Sequence, residues 1–375
     1  MKRISFYIAS LVLGMAVLSG CTKSLDKQPP NTLPSDNVYT SEAGYLQVLA
    51  KVYGSVALTG NQGPAGNGDV AGIDEGTSDF VRLFWKAQEL STDEAVVAWN
   101  DPGIQDFHNM NWSSSNPMLK GLYYRCTYIV TLCNEFIRES APDKVSGRGL
   151  SADNIKKMRA EARFIRAFAN WVLLDLYANP GFTTENDPIG KFNPPQTNRA
   201  QLFAYIESEL KAIDGDLSAP RSGDYGRADK AAAWSLLARM YLNAKVYTGT
   251  DKYTDAVTYS KKVIDAGYSL LSDYRWLALA DNNVNNTEFI LTLNYDGIRS
   301  KNWGGTTFLV NASVGGDMDR NVSGLTGWGG IRATKNLPNL FPDVNGTGDK
   351  RAQFTAGSQN LEINNISDFK DGLAV

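Results

Sequence analysis

Apolar side chains in the middle of the chain recur every three and four residues, which is the spacing of amphipathic helices. The pattern is clearest over residues 151–181, where Asn179, Pro180 and Gly181 end it. The apolar face of that segment consists of Ile155, Met158, Ala162, Ile165, Ala169, Val172 and Leu176. The same spacing predicts further helices over residues 38–58, 118–140, 199–214, 228–247 and 252–268.

Two of these helices carry a repeat signature. The first-helix spacing of a tetratricopeptide hairpin is matched by Trp234, Leu237, Ala238 and Tyr241. Tyr253 and Ala256 fit the second helix, and Gly267 is placed to end it. Because short side chains let paired helices approach closely, the segment from about residue 119 to 267 is predicted to form a scaffold of helical hairpins.

The regions on either side, at about residues 60–115 and 285–350, are rich in Gly, Asn and Asp and predict loops. Within the second region, "EFILTLNYDG" and "TTFLVNAS" predict short strands. The same region contains the tripeptide Trp-Gly-Gly twice, at residues 303–305 and 328–330. The predicted fold class is therefore mainly α, with tetratricopeptide-type hairpins joined to a loop-rich part that contains short strands.

The first residues predict export from the cytoplasm. Lys2 and Arg3 precede an apolar run that ends at Leu18, which is typical of a secretory signal peptide over residues 1–20. The sequence Leu-Ser-Gly-Cys that ends at Cys21 resembles the bacterial lipobox, which implies cleavage before Cys21 and lipids attached to it. Lipid chains there would hold the protein on a membrane, with residues 21–37 as a tether. The alternative is a soluble exported protein with an incidental cysteine.

Charge and metal-binding residue types narrow the function classes. The formal net charge is −3 and no polybasic segment occurs, so nucleic acid is not expected as a partner. His108 is the only histidine, and Cys126 and Cys133 would lie about 10 Å apart along a helix, beyond the reach of a disulfide. We therefore expect two buried thiols, with no metal site and no cofactor.

Five segments in order resemble one family, the SusD/RagB-type outer-membrane nutrient-binding lipoproteins of the Bacteroidetes. They are "AQELSTDEAVVAWNDPGIQDFHNMNW", "MRAEARFIRAFANWVLLDLY", "GRADKAAAWSLLARMYLNA", "YTDAVTYSKKVIDAGYSLL" and "NWGGTTFL…GWGGIRATKNLPNLF". The first and last are most similar to the starch-binding branch. The resemblance implies one SusD-like domain over residues 38–375, truncated at its C-terminus because family members usually run further.

The resemblance also implies a function and a location. Such a protein binds glycan, with α-glucan favoured, on the outer membrane at the cell surface, anchored through Cys21. It sits as a lid on a SusC-like TonB-dependent transporter, which the helical hairpins contact, and it is not an enzyme.

Seven residues are predicted to hold the glycan. A pyranose can stack its apolar C–H face on an aromatic ring while carboxylates, amides and Arg take its hydroxyls. The stacking candidates lie beside turn residues and match the starch-binding branch: Trp99, Trp303 and Trp328. We expect glycine next to the last two to leave the ring faces unobstructed. The polar candidates are Asp74, Arg82, Asn100 and Asp101. The remaining aromatics considered are expected to be buried: Trp85, Trp112, Trp171, Trp234, Trp276 and Tyr295.

Two other functions are alternatives to glycan capture. A glycoside hydrolase needs two carboxylates that face one bond, and no local pattern distinguishes such a pair among the 40 Asp and Glu residues. A peptide-binding protein of the same family would use the helical hairpins to grip its cargo, while the tryptophans would be structural. Each candidate tryptophan also has the alternative of an ordinary buried indole.

Overall fold

The computed structural model describes residues 35–63, 68–314, 327–352 and 354. Cys21, the signal segment 1–20 and most of the tether lie outside the described residues. The described helices are α1 (Ser35–Val38), α2 (Glu42–Ala57), α3 (Phe80–Glu89), α4 (Ile104–His108), α5 (Pro117–Glu139), α6 (Pro142–Gly147), α7 (Ala152–Tyr177), α8 (Arg199–Ala212), α9 (Lys230–Leu242), α10 (Ala244–Thr248), α11 (Tyr253–Asp265) and α12 (Gly305–Ser313).

The predicted helical scaffold is confirmed. Helices α5 and α7 pack along each other, and the apolar face predicted for α7 is buried except at Leu176, which is half-buried. Asn116 begins α5, because its side-chain oxygen accepts hydrogen bonds from the backbone N–H groups of Met118 and Leu119. Cys126 and Cys133 on α5 are buried free thiols, as expected. Burial raises the pKa of Cys133 to about 12.

The predicted repeat pair forms a hairpin of α9 and α11. Leu237 and Tyr241 are buried in it, and the hydroxyl of Tyr241 donates to Oε1 of Glu207 on α8 at 2.8 Å. Gly267 follows α11 with φ +84°, the left-handed backbone that a helix end favours in glycine. None of the described helices combines the length and hydropathy that a membrane crossing would need.

Both predicted strands of the loop-rich part are wrong. The segment "TTFLVNAS" lies in α12, because Phe308 and Ala312, four residues apart, bury on one helix face. The residues of "EFILTLNYDG" belong to neither of the two strands in the described part of the chain; instead, Ile290, Leu291 and Leu293 pack against the helical core. In both segments, packing against the helices therefore determined the conformation, although β-branched residues favour strands.

The two described strands are β1 (Ala95–Val97) and β2 (Ile331–Ala333). They pair antiparallel, with Ala95 opposite Ala333 and Val97 opposite Ile331. This small sheet joins the two loop-rich regions through strands that are more than 200 residues apart in sequence. It therefore decides which loops of the two regions meet.

Candidate binding site

The three candidate tryptophans lie together. The ring centroids of Trp99 and Trp328 are 6.3 Å apart with planes inclined by 45°, and those of Trp303 and Trp328 are 6.1 Å apart and inclined by 52°. Trp328 thus lies between the other two, and successive rings turn in orientation. Three indoles from two distant parts of the sequence form one arc.

Strand pairing brings Trp99 and Trp328 together. Trp99 follows β1 and Trp328 precedes β2, so antiparallel pairing places them at the same end of the sheet. The N–H of Ala98 donates to the carbonyl of Gly330 at 2.8 Å. The indole Nε1 of Trp99 donates to the carbonyl of Trp328 at 3.4 Å, which fixes the orientation of one ring relative to the neighbouring loop.

The glycines after Trp303 and Trp328 make room for neighbouring groups. A Cβ on Gly330 would overlap the indole of Trp99, and a Cβ on Gly304 would overlap the carboxylate of Asp79. Asp79 is fully buried at the start of α3, where its Oδ1 accepts from the N–H of Arg82 at 3.0 Å and from that of Gly305 at 3.1 Å. Burial raises the pKa of the Asp79 carboxyl. The glycines of the repeated tripeptide therefore permit neighbouring side chains to pack closely against the two loops. This role is additional to the one expected from the sequence, which was to leave the ring faces unobstructed.

The rings line a cavity of about 730 Å³, called here the three-tryptophan cavity. Its wall consists of Gly72, Ile73, Asp74, Gly76, Thr77, Arg82, Trp99, Asp101, Pro102, Pro117, Met118, Trp303 and Trp328. Trp303 is 43% exposed, whereas Trp99 and Trp328 are half-buried. Six of the seven predicted site residues thus line one cavity of a size typical of small-ligand sites. The seventh, Asn100, is exposed at the surface and does not belong to that wall.

Arg82 connects two loops that line the cavity. Its side chain is 8% exposed, and its Nη1 donates to the carbonyls of Gly76 at 2.8 Å and Trp303 at 3.1 Å. The guanidinium carbon lies 4.6 Å from the ring centroid of Phe308. Burial lowers the pKa of Arg82. Most of this side chain is therefore engaged by the protein, and its Nη2 faces Asp101 at 4.0 Å.

Lys86, one helical turn after Arg82, is a neighbour of the site that the sequence analysis missed. It is fully buried, and its Nζ lies 3.3 Å from Sδ of Met118 and 3.8 Å from Oδ2 of Asp101. Burial, assisted by the charge of Arg82, lowers the pKa of Lys86 to about 7. The sequence could have indicated Lys86, because residues four apart on a helix share a face and Lys86 is four residues after Arg82.

The remaining aromatics divide into two groups. Trp171 is buried, as predicted, whereas Trp234, Trp85 and Tyr295 are half-buried. The prediction is wrong for two tryptophans, because Trp112 is 45% exposed and Trp276 is 50% exposed. Trp112 lies in the connection between α4 and α5, and Trp276 lies in a 3-10 turn, Tyr274–Ala278, in the long segment between α11 and α12.

The comparisons with known proteins agree with this architecture. No family model matches the chain. The chain is 34% identical over 340 residues to the starch-binding protein SusD of Bacteroides thetaiotaomicron, a match that covers 90% of this chain and 59% of that protein. This chain thus spans about three fifths of the length of the curated relative.

Solved structures share the fold at lower identity. A SusD superfamily protein from Parabacteroides distasonis superposes with a TM-score of 0.65 at 19% identity, covering 92% of this chain and 69% of its own. Surface glycan-binding protein A from Bacteroides uniformis gives a TM-score of 0.64 at 19% identity, covering 88% and 69%. A SusD-like carbohydrate-binding protein from Bacteroides fragilis gives 0.60 at 21% identity, covering 80% and 53%. The chain thus has the fold of the SusD superfamily structures, and it is similar to SusD, at 34% identity, over nine tenths of its own length.

Proposed function

We propose that this protein captures oligosaccharide in the three-tryptophan cavity. The observation that carries the proposal is the arc of Trp99, Trp328 and Trp303, whose neighbouring centroids lie 6.3 and 6.1 Å apart. A pyranose ring has an apolar face that gains contact on an indole. Asp74 and Asp101 line the same cavity, where their carboxylates can accept hydrogen bonds from sugar hydroxyls.

The inclination of the rings favours α-glucan as the ligand. Neighbouring planes turn by 45° and 52°, so successive sugars of a curved chain could each face a ring. A flat platform would instead suit a straight chain. The name of the relative, starch-binding protein SusD, points to the same ligand class.

The proposed cellular role rests on the similarity to SusD and on residues outside the described part. In this proposal, lipids at Cys21 anchor the protein to the outer membrane at the cell surface. The protein delivers its glycan to a SusC-like TonB-dependent transporter and does not cleave it. The helical hairpins offer a contact surface, since apolar side chains on their outer face are well exposed: Leu242, Val246, Val257 and Ile264.

Calorimetry with maltoheptaose tests the central claim. Trp328→Ala removes the middle ring, and we expect at least about a fivefold weaker Kd, which corresponds to about 1 kcal/mol. Trp276→Ala is the control for loss of a tryptophan elsewhere, because Trp276 is 50% exposed and does not line the cavity. Unchanged affinity of a folded Trp328→Ala protein would contradict the proposal. Release of reducing sugar by the purified wild-type protein would contradict the absence of catalysis.

A further inference from the structure

A second cavity with aromatic walls lies beside the first. It has a volume of about 690 Å³ and is called here the Trp112 cavity. Its wall consists of Ala87, Ser91, Phe107, Trp112, Ser113, Ser114, Leu119, Lys120, Tyr123, Tyr124, Leu176 and Tyr177. Two of its rings are open to solvent, because Trp112 is 45% exposed and Tyr124 is 41% exposed. Exposed rings of this size within one concavity are characteristic of binding surfaces.

The exposed indole is held in place by its surroundings. The ring centroid of Trp112 lies 6.1 Å from that of buried Phe107, with planes inclined by 37°. Met110, two residues before Trp112, has φ +54°, a left-handed backbone that a side chain makes unfavourable. On the other wall, the ring centroid of Tyr124 lies 6.2 Å from that of Tyr123. The rings are thus supported from behind while Trp112 and Tyr124 keep exposed surface.

Polar groups are placed to accompany these rings. Ser113 and Ser114 line the cavity next to Trp112, and Lys120 lines it next to Tyr124 on α5. Hydroxyl and ammonium groups can hydrogen-bond a ligand rich in hydroxyls. Ring faces joined to such donors form the same combination that the three-tryptophan cavity presents to a sugar.

The first turn of α5 contributes to both cavities. Pro117 and Met118 line the three-tryptophan cavity, and the next two residues of α5, Leu119 and Lys120, line the Trp112 cavity. These four consecutive residues make up about one helical turn. The connecting loop is anchored at the same point, because Nδ2 of Asn116 donates to the carbonyl of Gly103 and to Oδ2 of Asp106, both at 2.9 Å.

We propose that the Trp112 cavity is a second glycan subsite, which takes further sugars of a chain already bound in the three-tryptophan cavity. This inference rests on the proposed function. A long α-glucan bound in the three-tryptophan cavity would continue across the first turn of α5 into the Trp112 cavity. Because the second contact is then intramolecular, long chains gain affinity that a short oligosaccharide cannot gain.

The test compares a short and a long ligand on one variant. Maltotriose is short enough to occupy the three-tryptophan cavity alone, whereas amylose can span both cavities. For Trp112→Ala we expect maltotriose affinity within twofold of wild type and amylose affinity at least fivefold weaker, measured by calorimetry and affinity gel electrophoresis. Tyr124→Ala provides an independent variant on the opposite wall with the same expected result, and Trp276→Ala is the matched control.

The outcomes separate the two proposals. If wild type binds both ligands and neither Trp112→Ala nor Tyr124→Ala weakens amylose more than Trp276→Ala does, the second subsite is refuted while glycan capture stands. If wild type binds neither maltotriose nor amylose, α-glucan capture fails, and the second subsite fails with it. An equal loss for both ligands in Trp112→Ala would also refute the subsite, because it would show an effect on the first cavity.

Discussion

The helical scaffold and the floor of the three-tryptophan cavity both bury positive charge, but a cluster in the scaffold and a cluster in the floor compensate it differently. In the scaffold, Nη2 of Arg166 lies 2.7 Å from Oε2 of Glu209, and Oε1 of Glu209 lies 2.7 Å from Nη2 of Arg163. Burial acts to lower the pKa of Arg166, but Tyr205, Glu185 and Glu209 together outweigh it and raise that pKa. The scaffold therefore contains closely paired charges.

The floor of the three-tryptophan cavity has looser pairing. Arg82 and Lys86 face one carboxylate, that of Asp101, at 4.0 and 3.8 Å, and Asp101 is 35% exposed. Burial outweighs the nearby carboxylates and lowers the pKa of both cations. An incompletely compensated charge costs stability, and such costs are characteristic of binding sites. The comparison teaches that the cluster of Arg163, Arg166 and Glu209 compensates its buried charge closely, whereas the two cations beneath the three-tryptophan cavity are compensated incompletely.

The largest effect is expected in the scaffold. Glu209→Ala removes the carboxylate that pairs with Arg163 and Arg166, and we expect the free energy of unfolding to fall by about 3 kcal/mol. Guanidinium unfolding measures this change. Lys261→Ala, which breaks an exposed pair with Asp265, is the control and should cost less than about 0.5 kcal/mol. Equal effects of the two variants would mean that burial of the scaffold cluster contributes nothing.

A change of opposite sign is expected in the site floor. The pKa of Lys86 is lowered to about 7 in the folded protein from an ordinary value of 10.5. Between these values the unfolded chain binds more protons than the folded one, so stability rises as pH increases. Below pH 7 the penalty of burying the ammonium is present in full. Over pH 7 to 9 this linkage amounts to about 2 kcal/mol.

Lys86→Met isolates that contribution. We expect the variant to be stabilised relative to wild type at pH 6 and this advantage to be smaller by about 2 kcal/mol at pH 9, as measured by urea unfolding at the two pH values. Lys156→Met is a control, because Lys156 is 63% exposed and should change stability little at either pH. If the difference in free energy of unfolding between wild type and Lys86→Met does not vary with pH, the low pKa of Lys86 is contradicted.

The smallest of these effects concerns the close packing of the tripeptide loops. Gly330→Ala places a methyl group against the indole of Trp99, and we expect a destabilisation of at least about 1 kcal/mol together with weaker glycan binding. Gly147→Ala is the control, since no atom lies within 4 Å of its added Cβ. Thermal unfolding and calorimetry on both variants check the result. Normal stability and affinity of Gly330→Ala would show that Trp99 can move without consequence.

The scaffold could be predicted because its information is local. The face of α7 and the hairpin of α9 and α11 follow from apolar residues three and four apart, whichever partners cover them. The loop-rich part could not be predicted in the same way. Residues 306–313 contain residue types that favour strands, yet Phe308 and Ala312 bury on one face of α12.

For the site, the residue types were predicted and their arrangement was not. The sequence identified Trp99, Trp303 and Trp328 by their turn context and by family resemblance, but the distances among them depend on the pairing of β1 with β2. The same limit explains the misassigned Trp112. Its exposure depends on how the loop after α4 lies against α5, and no short window of sequence contains that information.

The sequence by itself determined the helical period, the ends of the long helices and the likeness to SusD, because each depends on neighbouring residues or on residue identity. Only the tertiary structure decided which loops meet, how deeply Arg82 and Lys86 are buried and which tryptophans face solvent. Those properties arise from contacts between residues far apart in the chain, such as Ala95 with Ala333, and burial sets both the pKa values and the exposed ring surface.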